Sequence, residues 1–178
     1  AWLRGKALGR KGDVVGAIDA FEAYLTRFPQ GEFADDAEFF RAFLLYENGR
    51  FIEASKAFGA IVSGSWAPAA AWYGPWCLFL AGNAEQAQPI FVQLARNGKS
   101  PKLRRKALYW SARAAEGFAP LKARLLRKEL VEAKPHDWYG LMARRRFPDE
   151  FKDVPGLPKR VKLKLLEPCL LYTSDAAD

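Results

Sequence analysis

A glycine, an alanine and a phenylalanine recur at fixed spacing three times along this chain of 178 residues. The alanine follows the glycine by five residues, and the phenylalanine follows the alanine by four. A degenerate fourth copy begins near Gly117, and neighbouring copies start 33 to 37 residues apart. That period predicts a stack of helical hairpins, each too small to bury its own apolar face. The three copies are Gly12, Ala17 and Phe21; Gly49, Ala54 and Phe58; and Gly82, Ala87 and Phe91.

The residue types of the repeat indicate how the hairpins pack. An alanine lets the partner helix approach closely, and a phenylalanine one turn later on the same face fills the space between hairpins. Burial of each ring contributes about 1.5–3 kcal/mol to folding. We therefore assign the three alanines and three phenylalanines to the core of an all-α superhelix of αα-hairpins, and not to a ligand site.

The apolar period predicts about nine helices. Helical spacing covers residues 34–47, 84–95 and 121–133. Residues 69–81 have the same pattern but contain Pro75, which is expected to kink or restart that helix because proline lacks the N–H that a helix interior needs. No run of about 18 apolar residues occurs, so the sequence predicts no transmembrane segment.

Cysteine and histidine are too few for a metal site. The chain has two cysteines and one histidine. Cys77 lies in an apolar run and is expected to be a buried, unreactive thiol, and His136 follows Pro135 at a helix start, where an exposed or capping role is expected. Zinc needs three or four ligands, so we expect neither a metal nor a cofactor.

Charge is distributed unevenly along the chain. Residues 1–98 contain 9 Lys and Arg against 10 Asp and Glu, whereas residues 99–168 contain 19 against 8. The basic half must face solvent or an anionic partner such as nucleic acid, acidic lipid or a cell-wall polymer. Glu116, Glu129 and Glu132 lie among these basic residues, so we expect them to form surface ion pairs rather than to act in catalysis.

The repeat is similar to the tetratricopeptide repeat, whose second helix carries the same small residue and aromatic pair. Two segments of the basic half are more specific, because they resemble the superhelical region of soluble lytic murein transglycosylases. They are Ala107-Leu108-Tyr109-Trp110-x-Ala112-Arg113 and, 25 residues further on, Trp138-Tyr139-Gly140-Leu141-Met142-Ala143. The match is strongest over residues 101–147 and is repeat-like over residues 1–98.

The resemblance implies a periplasmic cell-wall enzyme. In that family a lysozyme-like domain cleaves the bond between MurNAc and GlcNAc and leaves a 1,6-anhydro sugar, with one Glu of a Glu-Ser motif serving as acid and then as base. This sequence contains no Glu-Ser dipeptide, so we expect no catalytic residue in it. The implied role is to position peptidoglycan glycan strands for a downstream catalytic domain, and other envelope proteins are further candidate partners.

Four residues are candidates for glycan contact under this resemblance: Trp138, Tyr139, Arg144 and Arg145. The aromatic rings offer flat surfaces for sugars, and the arginines attract anionic groups. The basic runs at 102–106 and 144–146 are equally consistent with solvated helix faces. Tyr139 and Trp110 are alternatively core residues, and we favour the core for Trp110.

Two other functions stay open. The chain is alternatively a stand-alone tetratricopeptide-like scaffold for protein interactions in the cell envelope, or a basic solenoid that binds nucleic acid. Nucleic acid is disfavoured because only charge supports it, and the sequence contains no recognisable helix-turn-helix, RNA-binding aromatic motif or zinc module.

The sequence divides into three regions: a superhelix at 1–147, a linker with the start of a further element at 148–168, and a tail at 169–178. Pro148, Pro155, Gly156 and Pro158 interrupt helical pattern in the linker. The tail, CLLYTSDAAD, resembles a translated sequencing adapter. We therefore expect the natural protein to continue differently beyond Pro168 and to begin upstream of Ala1.

Overall fold

The computed structural model describes residues 1–154, and every regular element in that range is helical. Each α-helix packs on the next one along the chain, which confirms the predicted all-α fold of consecutive hairpins. Residues 155–178, which include most of the predicted linker and the whole predicted tail, lie outside the described residues. The elements are α1 (Trp2–Arg10), α2 (Val14–Arg27), α3 (Ala34–Glu47), α4 (Phe51–Ala60), α5 (Ala67–Leu80), α6 (Ala84–Asn97), α7 (Pro101–Ala115), α8 (Pro120–Ala133), α9 (Trp138–Arg146) and the 3-10 turn η1 (Pro148–Phe151).

The repeated glycine ends the first helix of each hairpin. Gly12, Gly49 and Gly82 have φ angles of 82°, 73° and 82°, in the left-handed region. At the second copy the N–H of Gly49 donates to the carbonyl of Tyr46 at 3.1 Å, and the N–H of Arg50 donates to the carbonyl of Leu45 at 2.9 Å. These two bonds form a Schellman motif, which satisfies carbonyls that the helix end leaves free. The other two copies make the same pair of bonds.

The degenerate fourth copy does not form this turn. Gly117 is not among the glycines with positive φ. The N–H of Ala119 instead donates to the carbonyl of Ala115 at 2.9 Å, and Pro120 begins α8, where its missing N–H costs nothing. The sequence repeat is therefore a repeat of one turn geometry that three of the hairpins share.

The alanines and phenylalanines of the repeat are buried as predicted. The exposed fraction is 0% for all three alanines and at most 2% for the three phenylalanines. Each phenylalanine lies in a different apolar cluster: Phe21 packs near Ala37, Phe58 near Phe39, and Phe91 near Trp72. The core is therefore a series of clusters between neighbouring hairpins, which is the arrangement expected of stacked repeats.

Of the two outcomes expected at Pro75, a kink or a restart of the helix, the structure excludes the second. Helix α5 runs from Ala67 to Leu80 as a single helix with Pro75 buried inside it, so the predicted restart does not occur. Proline removes one hydrogen bond to the carbonyl four residues earlier. Helices α4 and α6 pack on both sides of α5, and this packing holds the helix together despite the missing bond.

Side chains also join alternate helices, which arranges the helices in two layers. Within the odd-numbered layer, Trp76 of α5 contacts Trp110 of α7 with ring centres 4.6 Å apart, and Tyr109 of α7 contacts Tyr139 of α9 at 5.6 Å. Within the even-numbered layer, Lys122 of α8 donates to the side-chain oxygen of Gln88 of α6 at 2.9 Å. The odd-numbered helices therefore lie side by side on one face.

The residues after α9 continue the packed structure as far as the described chain extends. Phe151 of η1 is buried in a cluster with Leu130, Val131 and Ala143, and Val154 packs against the same cluster. Two residues of the predicted linker, Phe151 and Val154, thus belong to the apolar core that also includes α8 and α9.

We predict that Ala54→Arg unfolds the chain. Ala54 is fully buried between hairpins, and an unpaired buried charge costs several kcal/mol, which is comparable with the 5–15 kcal/mol that a domain of this kind has in total. Ala60→Arg, at an exposed position near the end of the same helix, is the control. Circular dichroism should show loss of cooperative melting for Ala54→Arg alone; equal melting temperatures for the two variants would contradict stacking through Ala54.

We also predict opposite effects for two glycine substitutions. A methyl group at Gly49 or at Gly59 would meet no atom within 4 Å, so neither change is limited by space. Gly49→Ala should destabilise by about 1–2 kcal/mol, because an L-residue pays that cost in the left-handed region. Gly59→Ala should stabilise by about 0.5–1 kcal/mol through helix propensity. Urea unfolding measures both, and shifts of the same sign would argue against the Schellman turn.

Candidate functional site

Helices α7 and α9, which contain the two sequence segments at 107–113 and 138–143, are joined by an ion pair next to those segments. The side chain of Arg105 in α7 donates from Nε and Nη2 to both carboxylate oxygens of Asp137, each at 2.5 Å. The same arginine donates from Nη1 to the carbonyl of Leu130 at 2.8 Å, at the end of α8. Asp137 also accepts the N–H of Gly140 at 2.8 Å and so caps α9. One arginine therefore joins three helices.

Asp137 is held ionised by these contacts. Burial acts to raise the pKa of Asp137, but the hydrogen bonds from Arg105 and from the N–H of Gly140 outweigh it and lower the pKa below its ordinary value. The pair is partly shielded from water, because Arg105 is largely buried. It is therefore a structural ion pair that joins α7 to the start of α9, and its two charges compensate each other.

Aromatic side chains form a continuous series along the odd-numbered helices, which we call the aromatic row. Neighbouring members contact each other with ring centres between 4.6 and 5.8 Å apart, and Trp76 reaches Tyr46 through a long hydrogen bond of 3.5 Å. Most members are partly exposed. The row thus presents apolar area on one face over four helices. Its members are Phe43, Tyr46, Tyr73, Trp76, Phe79, Tyr109, Trp110 and Tyr139.

The acidic residues of the basic half are almost all used in ion pairs. Glu116 accepts a hydrogen bond from Arg146 at 3.0 Å, and it forms ion pairs with Arg113 at 3.3 Å and Arg127 at 3.9 Å. Glu129 pairs with Arg96 and Glu132 with Lys128. The ion pairs predicted for Glu116, Glu129 and Glu132 are therefore confirmed.

Several cations have no acidic partner, because too few carboxylates are present in this half. Among residues 99–154, six of the seven acidic side chains lie within 4.0 Å of a basic group, and Asp153 is the exception. The remaining positive charge is what an anionic partner would meet. In the part of the chain that the structure describes, the cations without a carboxylate within 4.0 Å include Lys102, Lys106, Arg124, Lys134 and Arg145.

The four predicted glycan-contacting residues do not share one environment. Trp138 is 69% exposed and Arg145 is also exposed, on the same side of α9 two turns apart. Tyr139 is partly buried against Tyr109, at the end of the aromatic row. Arg144 is only 6% exposed, and its Nη2 donates to the carbonyl of Val154 at 3.2 Å. Trp138 and Arg145 are therefore the pair that a surface ligand reaches.

Trp110 is both a core residue and a partly exposed member of the aromatic row, whereas the sequence analysis treated these roles as alternatives. It packs against two apolar clusters, as expected of a core residue, and it is also partly exposed within the aromatic row. The guanidinium carbon of Arg113 lies 5.6 Å from the centre of its ring. Core packing thus fixes the orientation of a ring that remains accessible.

Among the described residues, Lys106 is the lysine whose pKa is clearly shifted from its ordinary value. Its Nζ lies 3.5 Å from the centre of the Trp72 ring, a distance at which the ring attracts a cation. Burial, and then the nearby charge of Lys102, lower the pKa of Lys106 to about 8. Sequence reasoning recognised the basic run at 102–106 but not this contact. The sequence feature that could have predicted this contact is the four-residue spacing from Trp72 to Trp76, which recurs from Lys106 to Trp110.

Residues 1–154 contain no group of three His, Cys, Asp or Glu side chains that could hold a metal ion. Cys77 is buried, and burial raises the pKa of its thiol to about 12, so the thiolate that reacts is not formed at neutral pH. His136 is exposed, as expected. None of the described helices combines the length and apolar composition of a membrane span.

No protein-family model matches this chain, and a search of curated proteins finds no significant relative.

We predict that titration of Lys106 makes the folded chain more stable as pH rises between the folded-state pKa and the unfolded-state pKa of this lysine. The folded-state pKa is about 8, whereas an unfolded lysine titrates near about 10.4. Between those values the unfolded chain binds more protons, so folding becomes more favourable as pH rises. The effect is small because Lys106 is only partly buried.

Urea unfolding of the native chain and of Lys106→Met at pH 7.5, 9.0 and 10.5 measures this. The variant controls for every other titrating group. The stability of the native chain relative to Lys106→Met should increase over this range, and a constant difference would contradict a lowered pKa.

Proposed function

We propose that this chain is the non-catalytic α-superhelical domain of a peptidoglycan lytic transglycosylase. In this proposal it holds cell-wall glycan near a lysozyme-like domain that lies outside these 178 residues, and the parent protein works in the periplasm. The chain itself contributes binding and orientation, which raise the rate of a reaction performed elsewhere by reducing its entropic cost.

The observation that supports the proposal most is the contact between the two segments that resemble this family. The Tyr-Trp-x-Ala-Arg segment in α7 and the Trp-Tyr-Gly-Leu segment in α9 meet through Tyr109 and Tyr139, and Arg105 and Asp137, next to the two segments, join the same helices. The two segments therefore lie on one part of the surface, which is what a shared binding role requires.

The surface that these helices present suits an extended anionic sugar polymer. The aromatic row offers apolar area to the C–H faces of sugars along several odd-numbered helices. The unpaired cations, among them Arg145, offer charge to carboxylates and phosphates. Repeat proteins bind extended ligands along such faces because every hairpin adds a similar contact. A polymer bound there has a defined direction relative to the end of the superhelix.

We predict that the chain is retained on purified peptidoglycan sacculi at low salt, and that Trp138 and Arg145 contribute to retention. Loss of one exposed aromatic contact and one exposed charge costs about 1 kcal/mol together, which corresponds to about fivefold in affinity. The double variant Trp138→Ala, Arg145→Met should show that loss in a pull-down with increasing sacculi. The matched control is Phe28→Ala, Arg10→Met, which removes an exposed aromatic and an exposed arginine far along the chain.

Two results would decide against the proposal. Absence of retention of the native chain would favour a scaffold that binds envelope proteins. Binding to DNA or RNA with an affinity that falls steeply with salt would favour the nucleic-acid alternative. An equal loss in the double variant and in its control would show that the α9 surface is not the contact, whatever the affinity of the native chain.

A further inference from the structure

In the described part of the chain, two cations without an acidic partner lie beside the rings of α5 and α7. Lys106 is partly buried over the ring of Trp72, and Lys102 precedes it by one helical turn on α7. Within residues 1–154 neither ammonium group has a carboxylate oxygen within 4.0 Å. Helix α5, which provides Trp72, contains no charged residue. Nothing described in the protein therefore neutralises this pair.

The cation on the other side of Trp110 along α7 is already neutralised. Arg113 lies beside Trp110, but its Nε is 3.3 Å from Glu116, which also pairs with Arg146. An acidic ligand gains little there, because the arginine already has a partner. The face between α5 and α7 is therefore positively charged near Lys102 and Lys106, whereas the charge near Arg113 is already paired.

A partly buried ammonium such as that of Lys106 is unfavourable next to a second positive charge unless an anion accompanies it. The repulsion is visible in Lys106 itself, since Lys102 acts, after burial, to disfavour its charged form. Trp72 covers one side of the ammonium but leaves it other hydrogen-bond donors, because an ammonium has three. A carboxylate bound between the lysines would pair with both and remove the repulsion.

Rings next to the lysines supply the rest of a sugar site. Trp76 lies 5.9 Å from Trp72 and 4.6 Å from Trp110, measured between ring centres. Trp76 and Trp110 are each partly exposed, and their packing against neighbouring rings holds them in place. Rings held in this way lose little conformational entropy when a ligand binds. A sugar lying on Trp76 and Trp110 would carry its substituents towards the lysine end.

We propose that the face between α5 and α7 binds an acidic sugar, with its carboxylate between Lys102 and Lys106 and its ring against Trp76 and Trp110. This inference rests on the proposed function and names the sugar class that the superhelix selects. Neutral sugars would contact the same rings without the charge pairing. The face therefore binds an acidic sugar more tightly than a neutral sugar at this position, and that preference fixes the orientation of the bound polymer.

The test compares two ligands of equal length: a peptide-free oligomer of alternating GlcNAc and MurNAc, and the same oligomer with its carboxylates converted to amides. Calorimetric titration of the full chain should show the acid form binding about three- to tenfold more tightly, as expected for one partly exposed charge pair. Lys106→Met should remove that preference and leave the affinity for the amide unchanged. Lys56→Met, which removes an exposed lysine from α4, should keep the preference.

Melting curves are recorded first to establish that each variant folds. If Lys106→Met does not fold, Lys102→Met replaces it, because Lys102 is exposed and its substitution does not disturb the core. The inference is wrong if the acid oligomer binds the native chain and the folded lysine variants equally, and the proposed function survives that result. If neither oligomer binds the native chain, the proposed function fails and the inference with it. Tighter binding of an oligonucleotide of equal charge, with the same loss in the variants, would overturn selectivity for sugars.

Discussion

Close approach of helices at fully buried alanines is the constraint on which this structure depends. Ala17, Ala54 and Ala87 have no exposed surface, so any larger side chain there would push hairpins apart. The phenylalanine that follows each alanine by one turn can fill its cluster only while that approach is maintained. The Schellman turn at each repeated glycine makes the approach possible, because it reverses the chain within three residues and brings the second helix back along the first.

Stacking of this kind has an electrostatic consequence in the basic half of the chain. Helices α7, α8 and α9 meet at their ends, and the carboxylates of Glu116, Asp137 and Glu150 are consumed in holding those ends together. Arg127 is only 5% exposed and pairs with Glu150 at 2.6 Å. The excess of lysine and arginine in this half comes from its composition. Because these three carboxylates are bound to buried or partly buried arginines, they are not available to offset that excess at the surface.

The aromatic row follows from the same geometry. Odd-numbered helices lie side by side, so rings at one face of α3, α5, α7 and α9 come into contact although the sequence separates them by about one repeat. Trp76 and Tyr46 are 30 residues apart, as are Tyr109 and Tyr139. A ring in this row is core on one side and accessible on the other. That double character is consistent with a surface that binds an extended polymer and performs no chemistry of its own.

The sequence alone determined the class of fold and the buried alanine and phenylalanine pairs, because these depend on local periodicity and on steric limits within one hairpin. It also anticipated the ion pairs of Glu116, Glu129 and Glu132. Only the tertiary structure decided that Arg144 is buried while Arg145 is exposed, that α5 continues through Pro75, and that Lys106 rests on Trp72. Each of these outcomes depends on which neighbouring helix covers a given face. That choice is set by the angle between hairpins, which no spacing within a single helix encodes.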